Sequence, residues 1–172
     1  MQFVALLRGI NVGGRSIPMT ALRDCFAEMG FDEVTTVQQT GNVIFFGGDS
    51  PEAIKQTIEA GLSKKFSYPA HVQVLTMERL RTIIEASPFD ANDSLMHSYV
   101  VFFENGKEKE LLSEVEDLGE EIEQVRGGDG VLYWRVPKGS TLQSAFAKYL
   151  TKARYKDSHT NRNINTLRKV TG

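Results

Sequence analysis

The sequence predicts an α+β fold built from two helix-backed antiparallel sheets. Three observations carry that prediction. Short apolar runs alternate with segments whose apolar residues recur every three or four positions, so strands and amphipathic helices interleave. Thr40-Gly41 lies between two strand-like runs and reads as a tight hairpin turn, which requires antiparallel pairing. The order strand, helix, strand, strand, helix then appears a second time later in the chain.

The elements follow in order. Residues 3–7 are a short apolar run ending at a glycine loop, as a buried strand does. Pro18 suits the first turn of a helix. Leu22, Cys25, Phe26 and Met29 share one face of that helix, and Gly30 follows as its C-terminal cap. Residues 34–38 and 43–46 read as the hairpin strands, the second closed by Gly47-Gly48. Ser50-Pro51-Glu52 opens a helix with a capping hydroxyl, a proline and an acid in their favoured order, and Ile54, Ile58 and Leu62 form its stripe. A strand at 71–75 completes the ferredoxin-like βαββαβ order.

In the second half, Thr76 caps a helix carrying Leu80, Ile83 and Ile84 that ends before Pro88. Residues 98–103 read as a strand and 109–118 as a helix. Residues 122–125 and 131–136 form a hairpin across the glycine-rich stretch 127–130. Leu142, Phe146 and Leu150 stripe a further helix. No closing strand follows in this reading. The second ferredoxin-like half is incomplete and ends in a polar helical tail, whose last helix starts near Asn163 with Ile164, Leu167 and Val170 facing inward. The expected division is 1–76 and 77–172. No Pro/Ser-rich linker separates the halves, so they are expected to pack as one compact unit with the default binding cleft at their junction. The duplication is one of element order, not of residues.

Composition narrows the function classes. The chain has 172 residues, 41% apolar and 24% charged, which suits an ordinary globular protein able to bury a core without disulfides or metal. The single cysteine, Cys25, has no partner in the chain for a disulfide, which fits a cytoplasmic setting. Residues 3–7 are too short for a signal-peptide core, and no run approaches the roughly 18 apolar residues of a membrane span. Net charge is −2, unevenly spread. From residue 148 onward seven basic residues face one acid, Asp157, giving +6 there and leaving −8 elsewhere. Such a tail either binds an anion or docks on the acidic run at 114–123.

The sharpest chemical clue is the glycine loop. Gly9, Gly13 and Gly14 fall between the first strand and the first helix. The spacing from Gly9 to Gly14-Arg15-Ser16 is one residue away from the phosphate loop G-x-x-x-x-G-K-[ST]. Arginine is forked where that loop needs a compact ammonium. Pro18 interrupts the cradle, and a phosphate-loop enzyme needs a parallel sheet. A nucleoside triphosphatase is therefore set aside. Two readings stay open. The glycines supply a tight positive-φ crossover, with Asn11 satisfying loop backbone. Alternatively Arg8, Asn11, Gly13, Gly14 and Arg15 form an anion nest.

The tail poses the same choice. Arg162, Asn163, Asn165, Thr166 and Lys169 are dense in donors. They either cap and solvate a final helix or, with Thr40 and Asn42, finish an anion pocket beside the glycine loop. Catalytic apparatus is thin. His71, His97 and His159 lack ligand spacing for zinc. Asp90 and Asp93 lack the glycine and distal glutamate of a calcium loop. Ser140 and Ser144 lack an identifiable base, and Glu120-Glu121 reads as a solvated run. The sequence therefore calls for no metal and names no cofactor. The alternating aromatic signature of RNA-binding sheets is missing.

The stretches ALLRGINVGG (5–14), QTGNVIF (39–45) and RNINT (162–166) resemble the bacterial family called domain of unknown function 1697. The resemblance runs from about residue 3 to 169. It implies two ferredoxin-like halves and carries no established activity. The family pattern has serine where this chain has Thr40, tryptophan where it has Ile164 and lysine where it has Ala145. The sequence thus predicts a cytoplasmic protein that binds a small, phosphate-bearing anion at the junction of its halves, with no assignable reaction and no membrane partner. Two alternatives stand beside it: a noncatalytic interaction module that engages nucleic acid through the basic tail, and an enzyme whose acid or base the sequence does not reveal. The oligomeric state is not legible.

Overall fold

The computed structural model describes residues 1–39, 41–115 and 123–172. Thr40, Glu120, Glu121 and parts of the elements expected at 109–118 and 122–125 lie outside the described residues. Contacts divide the chain into two units, Met1–Thr82 with Lys169–Gly172, and Ile83–Arg168. Each carries one four-stranded antiparallel sheet.

The first unit runs β1 (Gln2–Leu7), α1 (Met19–Glu28), β2 (Asp32–Val37), β3 (Asn42–Phe46), α2 (Pro51–Phe66), β4 (Val72–Thr76), and continues into α3 (Met77–Glu85). Its sheet order is β2-β3-β1-β4. Registers Phe3↔Phe45 and Ala5↔Val43 set one face of β1 and β3 towards the helices. Leu22, Cys25 and Phe26 of α1 and Ile54, Ile58 and Leu62 of α2 complete that core. Phe45 is its hub, with ring centroids 5.8 Å from Phe3, 5.5 Å from Phe26 and 4.7 Å from Phe31. Each such buried side chain contributes about 1.5–3 kcal/mol relative to an exposed one. Cys25 is part of this core, and burial pushes its thiol pKa up. It is a packing residue.

The second unit runs β5 (Met96–Phe103), α4 (Lys107–Val115), β6 (Gln124–Gly127), β7 (Val131–Pro137), a 3-10 turn (Thr141–Gln143), α5 (Ala145–Leu150), β8 (His159–Asn163) and the start of α6 (Ile164–Thr171), whose residues from Lys169 onward count with the first unit. Its sheet order is β6-β7-β5-β8. Val101, Leu132 and Trp134 pack against Leu111 and Val115 of α4 and Phe146 and Leu150 of α5. The other face is also buried at its centre, through Val100, Phe102 and Tyr133. The Tyr133 hydroxyl donates to the Ile83 carbonyl at 2.6 Å.

Two expectations are corrected. The closing strand of the second half is present: β8 pairs with β5 in the register Val100↔Arg162 and Val101↔Asn161. Its sequence, HTNRN, hides it. An edge strand pairs on one side only and needs no apolar alternation, and of these five residues only Thr160 is fully buried. The polar tail is therefore a strand followed by α6, whose Ile164, Leu167 and Val170 are buried. Leu142 is the second correction. It is 92% exposed on the 3-10 turn instead of striping a helix with Phe146 and Leu150. Ser144 decides this: its hydroxyl accepts from the Ala147 N–H at 3.1 Å, so α5 starts after it. Among the described residues, no helix is long and apolar enough to cross a membrane.

Candidate functional site at the first helix

The glycine loop leaves the C-terminal end of the central strand β1. The Leu7 N–H donates to the Gly41 carbonyl at 2.9 Å, and the Arg8 N–H donates to the His71 carbonyl at 3.2 Å, so the exit point is held from both neighbouring strands. The loop stands on two buried feet, Ile10 and Ile17, and the Ile17 N–H donates to the Ile10 carbonyl at 3.2 Å. Between them Val12-Gly13-Gly14-Arg15 makes a tight turn closed by Arg15 N–H to Val12 carbonyl at 3.0 Å. Gly13 and Gly14 have φ of +60° and +79°, the two positive values that a type I′ turn demands. A Cβ at either position would meet nothing within 4 Å. Backbone conformation, not crowding, explains this glycine pair.

Two of the loop's polar side chains, Asn11 and Arg15, are engaged. Asn11 donates through Nδ2 to the Gln39 carbonyl at 2.9 Å, tying the loop to the end of the β2 strand region. Arg15 donates through Nη1 to the Gly9 carbonyl at 2.9 Å, and its guanidinium lies 4.4 Å from the centroid of the Tyr68 ring. Tyr68 is buried, which raises its pKa, and the Arg15 charge opposes that rise. Asn42 is fully buried and donates to the Val37 carbonyl at 3.0 Å, within the hairpin.

The loop delivers the chain to the N-terminus of α1, and the local chemistry changes there. The N-cap is Pro18, with extended φ and ψ of −61° and 145° and no side chain that caps the helix. The first turn holds no acidic residue. Among the described residues, α1 is the one α-helix with neither feature. Ser50, Thr76, Ser144 and Asn163 cap α2, α3, α5 and α6 through side-chain oxygens, and α4 carries Glu108 and Glu110 in its first turn. A cavity of about 240 Å³ opens at this end of α1, lined by Asn11, Ser16, Pro18, Met19, Thr20 and Gln39. It brings two hydroxyls and two carboxamides to the start of a helix whose first N–H groups have no intrahelical acceptor.

Of the site residues expected from sequence, Arg8, Asn11, Gly13, Gly14, Arg15 and Asn42 lie in the first unit, as does the exposed Lys169 at the end of α6. Thr40 falls outside the described residues. Arg162, Asn163, Asn165 and Thr166 lie in the second unit. Arg162 donates through Nη1 to the Asn161 carbonyl at 2.9 Å. Burial lowers its pKa to about 10, which leaves it charged at neutral pH. The Asn163 side chain accepts from the Asn165 N–H at 2.9 Å and caps α6, while Asn165 donates to the Ala91 carbonyl at 3.4 Å. Of the basic tail, Arg154 does dock on acids of its own unit, 2.7 Å from Glu114 and 3.6 Å from Glu110. Sequence reasoning missed Ser16, Thr20 and Gln39. Their signal was negative: a helix start with no Ser, Thr, Asp or Asn in the capping position and no acid behind it.

A family model described as "Protein of unknown function (DUF1697)" matches residues 1–133, which covers the glycine loop and stops short of α5 and the tail motif. In solved structures, a conserved bacterial protein, SP0830 from Streptococcus pneumoniae, superposes with a TM-score of 0.83. It is 25% identical, and the match covers 99% of this chain and 96% of that one. No curated protein matches the chain.

Proposed function

The chain belongs to the DUF1697 family, whose description assigns no activity, and we propose that it binds a small oxyanion, a phosphate or carboxylate group, at the N-terminus of α1. Its two units read as ferredoxin-like halves related by duplication, with strand orders β2-β3-β1-β4 and β6-β7-β5-β8 in support. The observation that carries the binding reading is the uncapped, acid-free first turn of α1 opening into its own cavity. The N–H groups of a first turn point outward and sum with the helix dipole to about half a positive charge. An anion placed there satisfies both without a dedicated lysine. Ser16 and Thr20 add hydroxyl donors, and Gln39 adds an amide. The Gly13-Gly14 turn and the Arg15 clamp shape the wall that carries Asn11. Arg15 sits three residues before the cap, so its charge favours an anion at long range while its Nη1 donates to the Gly9 carbonyl. The proposal keeps Asn11, Gly13, Gly14 and Arg15 from the expected set and adds Ser16, Thr20 and Gln39.

Thermal melting in increasing inorganic phosphate, at constant ionic strength, tests it. A ligand that binds the folded chain alone raises the melting temperature with the logarithm of its concentration once past Kd. Pro18→Asp places a carboxylate at the cap and occupies the site from within. The expected result is a phosphate response in the native chain and none in P18D. An equal response in both sinks the proposal.

A further inference from the structure

Asn105 and Gly106 form the corner between β5 and α4. The chain has seven asparagines, and Asn105 is the one followed by glycine. We propose that Asn105 is a site of spontaneous covalent modification, at which the side-chain amide closes on the Gly106 nitrogen and water reopens the ring to an acid. The site lies in the second unit, so this assignment and the α1 reading can each fail without the other.

The corner is exposed and its middle peptide is unengaged. Asn105 and Gly106 have φ of +57° and +72°, and the Lys107 N–H donates across them to the Glu104 carbonyl at 3.1 Å. Two successive positive values make a type I′ turn, which asparagine and glycine tolerate best. Both residues are exposed. Among the described residues, nothing accepts from the Gly106 N–H and nothing pairs with the Asn105 side chain. A Cβ at Gly106 would meet nothing within 4 Å. The flanks are held instead: the Glu104 N–H donates to the Ser158 carbonyl at 3.1 Å, and the Lys109 N–H donates to the Gly106 carbonyl at 3.2 Å. The Gly106 nitrogen can therefore swing towards the Asn105 side chain without giving up a hydrogen bond of its own.

The chemistry balances without a cofactor. The Gly106 nitrogen gives up its proton and bonds to Asn105 Cγ. The Cγ–Nδ2 bond breaks, and the side-chain nitrogen takes up a proton and leaves as ammonia. Water then opens the cyclic imide. Opening at the side-chain carbonyl leaves an aspartyl residue, and opening at the backbone carbonyl leaves an isoaspartyl one. The sum is amide plus water giving acid plus ammonia. Glycine has no side chain to obstruct its own nitrogen and reaches the attacking geometry at least steric cost. The other asparagines are followed by valine twice, aspartate, arginine, isoleucine and threonine, all bulkier. The product also sits where it has an effect. An isoaspartyl residue carries an extra methylene through the backbone, which shifts the turn that starts α4. That helix packs Leu111 and Val115 into the second core. Each event adds a negative charge beside Glu104, Glu108 and Glu110.

Ageing the full folded chain at neutral and at mildly alkaline pH, with peptide mass spectrometry at intervals, tests the proposal. Amide loss at Asn105 should run at least about tenfold faster than at any other asparagine. It should quicken as pH rises, because the attacking nitrogen must lose its proton. The aged chain should accept a methyl group from S-adenosylmethionine through an isoaspartyl O-methyltransferase, which marks the isoaspartyl product. Gly106→Ala should slow the loss by at least about tenfold. Should Gly106→Ala fail to fold, Asn105→Gln decides the point: its ring would be one atom larger, and the methyl-accepting signal should vanish. Amide loss at Asn105 no faster than elsewhere, a product with no isoaspartyl fraction, or conversion only after unfolding in urea overturns the proposal.

Discussion

The N-termini of α1 and α5 face the same physical problem and solve it in opposite ways. Both helices begin after a loop and both start with N–H groups that no intrahelical carbonyl accepts. At α5 the chain fills the vacancy itself: Ser144 accepts from Ala147, and the buried Glu123 carboxylate accepts from Phe146 and from the Trp134 indole. At α1 the cap is proline, the first turn has no acid, and a cavity lies open in front. The fold can therefore supply an internal carboxylate to a helix start, and Glu123 shows what such an anion does. The lack of one at α1 is the reason to look for an external anion there.

The comparison can be broken from either side. The largest effect is expected for Glu123→Ala, which strips the acceptor from two buried donors at once. It should lower unfolding stability by about 2–4 kcal/mol in urea denaturation. A loss below about 1 kcal/mol would mean that α5 does not depend on its internal anion. Next come Gly13→Ala and Gly14→Ala. Each forces a side chain into positive φ in open space, so each should cost about 1–2 kcal/mol, from crowding against its own backbone and with no clash against other residues. Pro18→Asp should act in the opposite direction and make α1 resemble α5. The added cap should stabilise the chain by about 0.5–1 kcal/mol in the same assay.

The smallest effect at neutral pH extends the contrast to two tyrosines. Burial raises both Tyr68 and Tyr155, but Arg15 opposes the rise at Tyr68, whereas Glu114 adds to it at Tyr155. Tyr155 is pushed up to about 12, chiefly by burial, against an ordinary 10.0. The folded state therefore holds this proton more tightly than the unfolded state. The stability so gained is complete below pH 10 and is lost as pH rises towards 12. Tyr155→Phe should flatten that alkaline limb in melting curves recorded across the range. An unchanged limb would show that Tyr155 does not carry it.

Much of the fold was legible in the sequence because apolar spacing reports burial directly. The stripes Leu22-Cys25-Phe26 and Ile54-Ile58-Leu62 are the helix faces of the first core, and Ser50 and Thr76 cap as their positions suggested. What stayed hidden was whatever burial does not encode. β8 is held by backbone pairing at a sheet edge, and HTNRN contains no apolar residue to betray it. Leu142 had the right spacing for a stripe, but Ser144 interrupts the helix that would have carried it. In the candidate site, the glycines and Asn11 were legible as loop chemistry, and the turn and the Gln39 bond give them that role. The arginines suggested a nest. Arg15 also clamps the loop on Gly9 and Tyr68, because a guanidinium stacks on an aromatic face as readily as it binds an oxyanion. The cavity at α1 is marked by what its cap lacks, and a motif search looks for what is present.

The central claim is that the first turn of α1 is an anion site. A phosphate titration followed by amide proton and nitrogen chemical shifts tests it at the atoms concerned. Saturable shifts confined to Met19, Thr20, Ala21 and the Gln39 side-chain amide, lost in Pro18→Asp, are the predicted result. Shifts that track the exposed lysines of the tail, or that persist unchanged in P18D, would contradict it.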